Sequence, residues 1–428
     1  MISGSKHREV WMNKIVSVLK AVVFMIGVFL TMISGFAKAA DYQEQLLLEL
    51  MTATPGTVIE LPEGQFEFDT QLSLTVDDVT IRGKGMERSV LSFRNQVQGA
   101  EGLLISANNV TLENFTIQDT RGDAIKINHA RGVVIRGVKA TWTQGPATDN
   151  GAYGFYPVLS KDILIEACEV SGASDAGIYV GQSENVIIRR NKVYLNVAGI
   201  EIENTFKADV FDNYVINNTG GILLFNLPDL SRQGEENRVF GNVIVQNNTS
   251  NFSAQSNTVA DVPRGTGIMV MANKRVEIFH NYLADNDTSN LLIIAYHITG
   301  RPINDPSYDP FVESIFIHDN TFARGGKNPK GGASVRTREL IAALRDMVGV
   351  PFPDIVYDGS FHPGRVDSEG KIPNRLKICI KKNNTVGFLN LDAPHDFQNM
   401  SRDLAPHFCE QNSLPEVRLP FLAQNSEY

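Results

Sequence analysis

One segment of the chain, Asn185–Asn204 (NVIIRRNKVYLNVAGIEIEN), recurs in variant form both before and after itself. Aligned on apolar-x-apolar-x-x-Asn-x-apolar, the variants begin at Val110, Val133, Ile163 and Val186, and further matches follow downstream. The shortest spacing is 22 to 23 residues, and a period of this length is typical of a solenoid whose units bury their apolar faces by stacking. The marked column contains Phe115, Val138, Cys168, Asn191, Asn213, Asn242, Asn281, Asn320 and Asn383.

The repeat units are built from strands. They are short, rich in Val and Ile, and interrupted by Gly and Asn, whereas helical leucine-rich repeats require a leucine-spaced consensus. Each unit contains two clear strands, VIIRRNKV and GIEIEN, and a poorly marked third, which fits a three-sided coil. We therefore predict an all-β, single-domain, right-handed, three-sided parallel β-helix.

The asparagines of the marked column are expected to be structural. Coils of a β-helix stack about 4.8 Å apart, so the side-chain amides of consecutive coils can hydrogen-bond in a ladder. A buried amide is stable only when its polar atoms are paired, which this ladder would achieve. We therefore do not consider these asparagines as catalytic candidates.

The N-terminus, 1–39, has the pattern of a signal peptide. Lys14 and Lys20 flank the start of an apolar run from Ala21 to Phe36, and small residues follow at a cleavage site. The run is shorter than the roughly 20 residues that a membrane-spanning helix needs, although an uncleaved anchor is the alternative. We expect a periplasmic or secreted protein.

The remaining chain is predicted to be a capped solenoid with one insertion. YQEQLLLELM is amphipathic and predicts a short helix that covers the open end of the solenoid, where core side chains and strand edges would otherwise be exposed. Periodicity breaks after Ala323, where a helical VRTRELIAALRDMVG and a Pro/Gly-rich excursion follow. We assign 40–78 to the cap and first strands, 79–323 to the coils, 324–375 to an insertion with a short helix, and 376–428 to a closing coil and C-terminal tail.

The charge balance is acidic. The full chain has 39 basic and 48 acidic residues, and 34 and 47 remain without the first 39 residues. Nucleic acid requires a basic footprint, so we expect no nucleic-acid partner.

The cysteines and histidines predict a disulfide and no metal site. Cys168 falls in the ladder column and is expected to be buried, which leaves Cys379 and Cys409 as the pair for a disulfide in an oxidising compartment. The eight histidines are scattered, with no His-x-x-x-His or Cys-x-x-Cys spacing. We predict neither a metal nor another cofactor.

The second clear strand of the repeat supplies the candidate site. It begins with Gly-Ile or a close variant in several coils, and side chains alternate along a strand, so the residue after the Ile points outward. The outward column reads Lys126, Tyr179, Glu201, Leu223 and Met269, with Tyr156 in the gap and Asn128 and Glu203 one step further along.

Extra residues enter on both sides of this strand. TQGPATDNGAY and NTSNFSAQSNTVADVPR precede it in two coils, and LPDLSRQGEEN and ITGRPINDPSYDP follow it in two others. We therefore predict loops that wall a cleft above this face. In it, tyrosine rings would stack on sugar rings, while Lys126, Glu201 and Glu203 would bond hydroxyl or carboxylate groups. The alternative is that Lys126 and Glu201 are solvated, because outward strand positions are commonly polar.

These motifs resemble a known superfamily. PGTVIELPEGQFEF, VDDVTIRGKG and the repeated strand-Asn and Gly-Ile units are similar to the pectate-lyase-like right-handed β-helices over most of the chain after residue 39. More narrowly, the chain resembles exported bacterial β-helix-repeat proteins of undetermined function, which are often encoded beside a dihaem c-type cytochrome. The resemblance implies, as one alternative, an accessory subunit of an exported redox system with such a cytochrome as partner.

The superfamily includes polysaccharide lyases, glycoside hydrolases and mannuronan epimerases, and the fold does not discriminate among them. The paired carboxylates of the hydrolases are matched only faintly, by GDA at 122–124, which disfavours hydrolysis. Pro394, His395 and Asp396 are similar to the last three residues of the epimerase motif Asp-Pro-His-Asp, in which the histidine helps to move a proton. Ala393 replaces the first aspartate, so a surface turn is the alternative interpretation.

The functional prediction is an exported protein that binds an extended polysaccharide, acidic glycans included, at Lys126, Asn128, Tyr156, Tyr179, Glu201 and Glu203. The first alternative is a polysaccharide lyase or epimerase, which needs a base and a cation to stabilise an enolate. Tyr179 and Lys126 are the candidates for those roles. The second alternative is the redox accessory subunit, and we expect a monomer in each case.

Overall fold

Three parallel sheets wind around one apolar core in the computed structural model of this chain, which describes residues 20, 42–369 and 371–423. The predicted signal peptide, 1–39, lies outside the described residues apart from Lys20. No helix in the described ranges has the length and apolar character needed to cross a bilayer. The predicted fold class, a three-sided parallel β-helix with an N-terminal helix before the strands, is confirmed.

Each coil contributes one strand to each sheet, except that the last coil, with Ile378–Lys381 and Phe388–Asn390, has no strand in the second sheet within the described residues. In the described part of the chain, the first sheet contains Val58–Glu60, Thr80–Arg82, Thr111–Glu113, Arg131–Arg136, Lys161–Glu166, Glu184–Arg189, Phe206–Phe211, Glu235–Phe240, Lys274–Phe279, Glu313–His318 and Ile378–Lys381. The second sheet contains Gly64–Glu67, Ser89–Ser92, Thr116–Gln118, Lys139–Thr141, Glu169–Ser171, Lys192–Tyr194, Tyr214–Ile216, Val243–Val245, Tyr282–Ala284 and Thr321–Ala323. The third sheet contains Leu72–Leu74, Leu103–Ile105, Ile125–Asn128, Tyr153–Val158, Ala176–Gly181, Ala198–Glu203, Gly220–Phe225, Thr266–Met271, Ser289–Ile294, Ile355–Tyr357 and Phe388–Asn390.

Helical segments lie outside the coils. The described α-helices are α1 (42–52), α2 (Val335–Val348) and α3 (Pro420–Ala423). Short 3-10 helices span Thr258–Asp261, Tyr296–Thr299, Pro363–Arg365, Asn374–Leu376, Ala393–His395 and Ala405–His407.

The segment VIIRRNKV, which the sequence presents as one strand, forms two strands separated by a sharp bend. Glu184–Arg189 belongs to the first sheet and Lys192–Tyr194 to the second, with Arg190 and Asn191 between them. A residue with left-handed backbone, φ between 52° and 63°, precedes each position of the marked column in this way. The poorly marked third strand of the repeat is therefore the three-residue strand directly after the column. The bend residues are Asn114, Gly137, Ala167, Arg190, Asp212, Gly241, His280, Asp319 and Lys382.

The predicted asparagine ladder lies at this bend. The Nδ2 atom of Asn191 donates to Oδ1 of Asn213 at 2.9 Å, and Asn213 donates in the same way to Asn242 at 3.0 Å. The same bond continues through Asn281 and Asn320 to Asn383. Each Oδ1 atom also accepts the backbone N–H of the preceding ladder residue, so every amide is paired.

The other two corners carry ladders that the sequence alignment missed. Between the second and third sheets, Asn196 donates to Asn218 at 3.0 Å, and Asn218 donates to Asn247 at 3.0 Å. Between the third sheet and the next coil, hydroxyls accept instead, because the backbone N–H of Ser160 donates to Ser183 and that of Ser183 to Thr205. Short side chains with paired polar atoms therefore occupy all three corners in the middle of the solenoid.

Helix α1 covers the first coil. Tyr42, Leu46 and Leu50, spaced four residues apart, are buried in the main core, as expected for the inner stripe of an amphipathic helix. The Tyr42 ring packs on Phe66 with a centroid distance of 4.2 Å. Helix α1 thereby buries apolar side chains of the first coil that the open end would expose.

The segment predicted as an insertion, 324–375, also contains a strand of a coil. Ile355–Tyr357 pairs with Ser289–Ile294 and completes the third sheet of that coil, so the Pro/Gly-rich stretch is not wholly an excursion. The strand Ile355–Tyr357 has three residues and lies between Pro353 and Gly359. It is too short for an alternation of apolar and polar residues to predict it from the sequence.

The C-terminal segment 409–423, here the C-terminal strap, lies on the outer face of the first sheet. Cys379 and Cys409 form a disulfide that fixes its start. The backbone N–H of Val417 donates to Asp209 at 3.1 Å, and Val417 and Leu419 pack with outward apolar residues of the first sheet. The tail thus runs back along the first sheet, from the disulfide at Cys379 to the coil that contains Asp209.

We predict that Asn213→Ala destabilises the protein by about 2–4 kcal/mol, because the backbone N–H and Nδ2 of Asn191 would lose their shared acceptor inside the solenoid. Denaturant unfolding followed by circular dichroism measures this loss. Asn95→Ala, at an exposed turn, is the matched control and should change the free energy of unfolding by less than about 0.5 kcal/mol. Equal effects of both substitutions would contradict a structural role for the ladder.

Candidate functional site

The third sheet aligns one outward side chain from each coil in a column. Strand register places Lys126 beside Tyr156 and Tyr179 beside Glu201, and Glu203 lies one step along the strand from Glu201. The positions that align in the sequence therefore lie side by side on neighbouring coils. The column continues from Ser73 and Leu104 through Lys126, Tyr156, Tyr179, Glu201, Leu223, Met269, Leu292, Val356 and Leu389.

Exposure falls along this column from the N-terminal to the C-terminal coils. Ser73 is exposed, and Leu104, Lys126 and Tyr156 are partly exposed; we call these four positions the open shelf. Tyr179 is 5 % and Glu201 3 % exposed. The shelf therefore ends against buried polar side chains, which corrects the alternative that Glu201 is a solvated surface residue.

Loops from both sides meet over the C-terminal half of the column. The Arg301 guanidinium donates from Nε to Asp261 and from Nη2 to the Asn257 carbonyl, both at 2.9 Å, and so joins two loops across the sheet. The Tyr308 hydroxyl donates to the Asn226 carbonyl at 2.6 Å. The predicted loops thus form a roof here, beneath which the column residues are buried.

Helix α2 packs into the same roof. Its Ile341 and Leu344 share a buried apolar cluster with Leu223, Met269 and Leu292 of the column. Two outward positions that the sequence placed on the cleft floor, Leu223 and Met269, are therefore core residues. Their apolar character is explained by the helix that the insertion supplies.

Three tyrosines lie together where the shelf meets the roof, and we call them the tyrosine cluster: Tyr153, Tyr156 and Tyr179. The ring centroids are 4.5 to 4.9 Å apart, at tilted or edge-on angles. Tyr156 and Tyr179 come from adjacent coils of the column, and Tyr153 begins the same strand as Tyr156 after the loop 143–152. The packing of three rings fixes their orientation.

Gly181 allows the ring of Tyr179 to reach Glu203. The Tyr179 hydroxyl donates to Oε1 of Glu203 at 2.6 Å. A Cβ atom at position 181 would lie 2.5 to 2.6 Å from the ring edge and hydroxyl of Tyr179. Any other residue at this position would therefore displace the ring.

Three buried carboxyls adjoin the tyrosines, and we call them the acid cluster: Asp175, Glu201 and Glu203. Asp175 accepts a hydrogen bond of 3.1 Å from Nδ2 of Asn257, which belongs to a roof loop. Oε2 of Glu201 is fully buried and has no hydrogen-bond partner. Within the described residues none of the three carboxyls forms an ion pair with Lys, Arg or His.

Burial changes the protonation of this site. Desolvation, followed by the negative charges of Asp175 and Glu203, raises the pKa of Glu201 well above its usual range. Desolvation also raises the pKa of Asp175, with repulsion from Glu203 adding to it, and raises the pKa of Glu203 against the Tyr179 hydrogen bond. The acid cluster therefore retains protons at pH values where exposed carboxyls are ionised.

The shelf side of the site contains one cation. Nζ of Lys126 lies 3.1 Å from Oε1 of Glu101 and 5.0 Å from the ring centroid of Tyr156. Asp123 lies between this pair and the acid cluster, and its pKa is raised to about 6, mainly by desolvation. The lysine charge is thus already balanced by Glu101.

Three of the predicted site residues lie apart from the clusters. Asn128 is in register with Val158, Gly181 and Glu203, three coils or about 14 Å from Glu203. His395 is exposed in a turn after the last strand, with Nδ1 2.6 Å from Oδ1 of Asp392, and Asp396 ends that turn. About five coils, or about 24 Å, separate that strand from Glu201, so the epimerase-like motif does not join the candidate site.

The sequence reasoning missed Tyr153 and Asp175, which complete the two clusters. Asp175 directly precedes the strand Ala176–Gly181, and Asp123 lies two residues before the strand Ile125–Asn128. An acidic residue within two positions of the Gly-Ile start in two coils was the available signal. In the described ranges no group of three or more His, Cys, Asp or Glu side chains is arranged to hold a metal ion.

Comparison with known proteins identifies the class of protein. Residues 73–248 match the family model of the right handed beta helix region. This chain is a right-handed parallel β-helix protein, and that part of the resemblance seen in its sequence is confirmed. A search of curated proteins found no sequence that matches it.

Several solved structures are similar in fold. The A-module of mannuronan C-5 epimerase AlgE4 from Azotobacter vinelandii is 13 % identical, with 81 % of this chain and 90 % of that chain covered and a TM-score of 0.47. The A-module of AlgE6 from the same organism is 17 % identical over 66 % and 81 % of the two chains, with a TM-score of 0.43. DFA-IIIase from Arthrobacter chlorophenolicus A6 in complex with DFA-III is 13 % identical over 77 % and 88 %, with a TM-score of 0.41. At these identities and scores, substrate and reaction have to be argued from the residues of this chain.

We predict that the stability of the protein falls as the pH rises from about 5 to about 8. Because the acid-cluster pKa values are raised in the folded state, the folded state holds more protons than the unfolded state, and this stabilisation is lost as those protons leave. Asp175→Asn should flatten the decline by up to about 1.4 kcal/mol per pH unit, measured as the free energy of unfolding at each pH. Asp149→Asn, in an exposed part of a loop, should leave the slope unchanged. An identical slope in the Asp175 variant would contradict the assigned shift.

Proposed function

We propose that this chain is an exported protein that binds a carbohydrate chain along the open shelf, with one end of the glycan against the tyrosine cluster. The observation that carries the proposal is the meeting of partly exposed Tyr156 and Lys126 with buried carboxyls at the point where the shelf is closed by loops. A rigid scaffold with loops around one face is the usual setting of a binding site.

The aromatic and polar groups of the site suit a sugar. A sugar ring offers an apolar face for an aromatic ring and hydroxyls for hydrogen bonds, and Tyr156 is a partly exposed ring at the end of the shelf. Protonated carboxyls can both donate and accept, so Asp175, Glu201 and Glu203 can bond hydroxyls in either sense. The roof beyond Glu201 supports recognition of a chain end over passage of a long polymer across the whole face.

Export is supported by two features. The N-terminal segment has the pattern of a cleaved signal, and the Cys379–Cys409 disulfide is of the kind that persists in oxidising compartments. Separately, the acidic charge balance argues against a nucleic-acid partner.

We predict that Tyr156→Ala weakens glycan binding by about tenfold or more, because it removes a partly exposed ring at the end of the shelf while leaving the buried ring of Tyr179 in place. A glycan array with the mature protein identifies ligands, and calorimetry then measures the affinity of both variants. Tyr194→Ala, on the second sheet, is the matched control and should bind as the unaltered protein does. Absence of binding to any glycan would sink the proposal.

A second candidate function is catalysis by proton transfer, as in a lyase or epimerase. The short hydrogen bond from Tyr179 to Glu203 and the raised pKa of the Glu203 carboxyl favour it, since an acid–base group works best with a pKa near the working pH. In such a reaction Glu203 would take the proton from the sugar carbon, and Tyr179 would orient the carboxyl.

This catalytic role predicts unsaturated or epimerised products from a glycan that binds. Glu203→Gln should abolish product formation while affinity changes by less than about tenfold, because the amide keeps the shape but cannot take a proton. Mass spectrometry and NMR of incubated glycans detect both product types. Binding without any product from the unaltered protein would restrict the function to recognition.

Partnership with an exported c-type cytochrome and the monomeric state stay predictions from the sequence. Co-purification from the native host tests the first, and light scattering after size-exclusion chromatography tests the second.

A further inference from the structure

The acid cluster contains three buried carboxyls and has an unmet hydrogen-bonding capacity. Glu201 is 3 % exposed, and its Oε2 atom has no partner among the described residues. Leaving a polar atom buried and unpaired is costly, so a site of this kind is complete only when a ligand or water supplies the missing donor. The buried oxygen adjoins the tyrosine cluster, at the closed end of the shelf.

The groups that face this oxygen lack a balancing cation. The carboxyls of Asp175 and Glu203 disfavour the ionised form of Glu201. The hydroxyls of the neighbouring Tyr153 and Tyr179 do not ionise at neutral pH. From the roof, Asn257 contributes a neutral amide to Asp175, and Tyr308 faces Glu203. Lys126 forms an ion pair with Glu101 on the shelf side. Its charge favours the ionised form of Asp123 and does not balance the acid cluster. The closed end of the site is therefore short of positive charge.

We infer that the acid cluster receives a protonated amino group, and that the carbohydrate bound by this chain carries a free amine at the end that reaches Glu201. This inference rests on the proposed glycan-binding function and names its substrate class. An alkylammonium group provides three donors and one positive charge, which match the unpaired Oε2 atom and the surplus of carboxyls. Tyrosine faces nearby add cation–π attraction.

The same chemistry argues against an acidic glycan at this end. A sugar carboxylate beside Asp175, Glu201 and Glu203 would be a further acid in a buried site without a cation, where its ionised form is strongly disfavoured. An N-acetylated sugar would bring a neutral amide with a single donor and a bulkier group. We therefore expect the acid cluster to favour an amino sugar over a neutral, an N-acetylated or an acidic sugar.

Calorimetry with the mature protein tests this inference on four oligosaccharides of equal length: glucosamine, N-acetylglucosamine, glucose and mannuronate oligomers. We expect the amine oligomer to bind at least about tenfold more tightly than its N-acetylated form, since a charge-assisted hydrogen bond is gained. We also expect proton release from the carboxyls at about pH 7, net of any protons taken up by the amine, measured in buffers of different ionisation enthalpy, because the ammonium favours ionised carboxyls.

Glu201→Gln should reduce the preference for the amine oligomer over the glucose oligomer to less than about threefold, because the amide keeps the side-chain shape but cannot pair with an ammonium group. Glu169→Gln, on the second sheet, is the matched control and should keep the preference. The ligand comparison on the unaltered protein needs no variant, so it decides the matter even if Glu201→Gln does not fold.

The outcomes separate the inference from the proposed function. Equal affinity for amine and N-acetylated oligomers, or tighter binding of mannuronate, overturns the inference while glycan binding stands. Failure of every oligosaccharide and every arrayed glycan to bind overturns the proposed function and the inference with it. A free diamine that binds more tightly than the glucosamine oligomer, with the same sensitivity to Glu201→Gln, overturns the assignment of the amine to a sugar.

Discussion

Hydrogen bonds between consecutive coils are the interaction on which every other feature of this molecule depends. Backbone bonds pair each strand with the strand one coil away, and the asparagine ladders repeat the same bond between side chains at the corners. Because this pairing has one register, an outward residue is always placed beside the outward residue of the next coil. Sequence positions 22 to 30 residues apart, such as Lys126, Tyr156, Tyr179 and Glu201, become direct neighbours for this reason.

The register also explains how one sheet face supports two different environments. Loops and helix α2 add apolar residues above Leu223 and beyond, so that half of the face becomes a second core. The N-terminal half has shorter loops and stays open as a shelf. Polar side chains at the boundary are buried by the roof without being buried in the solenoid core, which gives the acid and tyrosine clusters a fixed geometry next to the partly exposed Lys126 and Tyr156.

Repetition made the solenoid predictable from the sequence, while the site could be predicted only in part. The column from Asn191 to Asn383 and the outward positions follow from a local pattern that recurs, so alignment alone finds them. Tyr153 and Asp175 lie at loop ends and Asn257 lies within a loop, where the repeat does not apply. Their contacts depend on the way in which the long loops close over the sheet. Burial of Glu201 was missed for the same reason, since alternation states which face a side chain is on and says nothing of what covers that face. The His395 motif was selected by local similarity, but its place on the last coil, about 24 Å from Glu201, follows only from counting stacked strands.

A buried carboxyl without a partner is a cost that the scaffold has to offset. Replacing Glu201 by an amide of the same shape would remove the ionisable group, and the strands on either side would pair as before, so the fold itself gives no reason for a carboxyl there. The solenoid tolerates this cost because hydrogen bonds in three sheets and at three corners stabilise each coil. The stacked coils are stabilised together, so one unfavourable outward position does not unfold them. Groups that are unfavourable for folding and fixed by their surroundings are typical of sites arranged for a ligand. The unpaired oxygen of Glu201 is therefore better explained by the molecule that would bind there than by the stability of the chain that carries it.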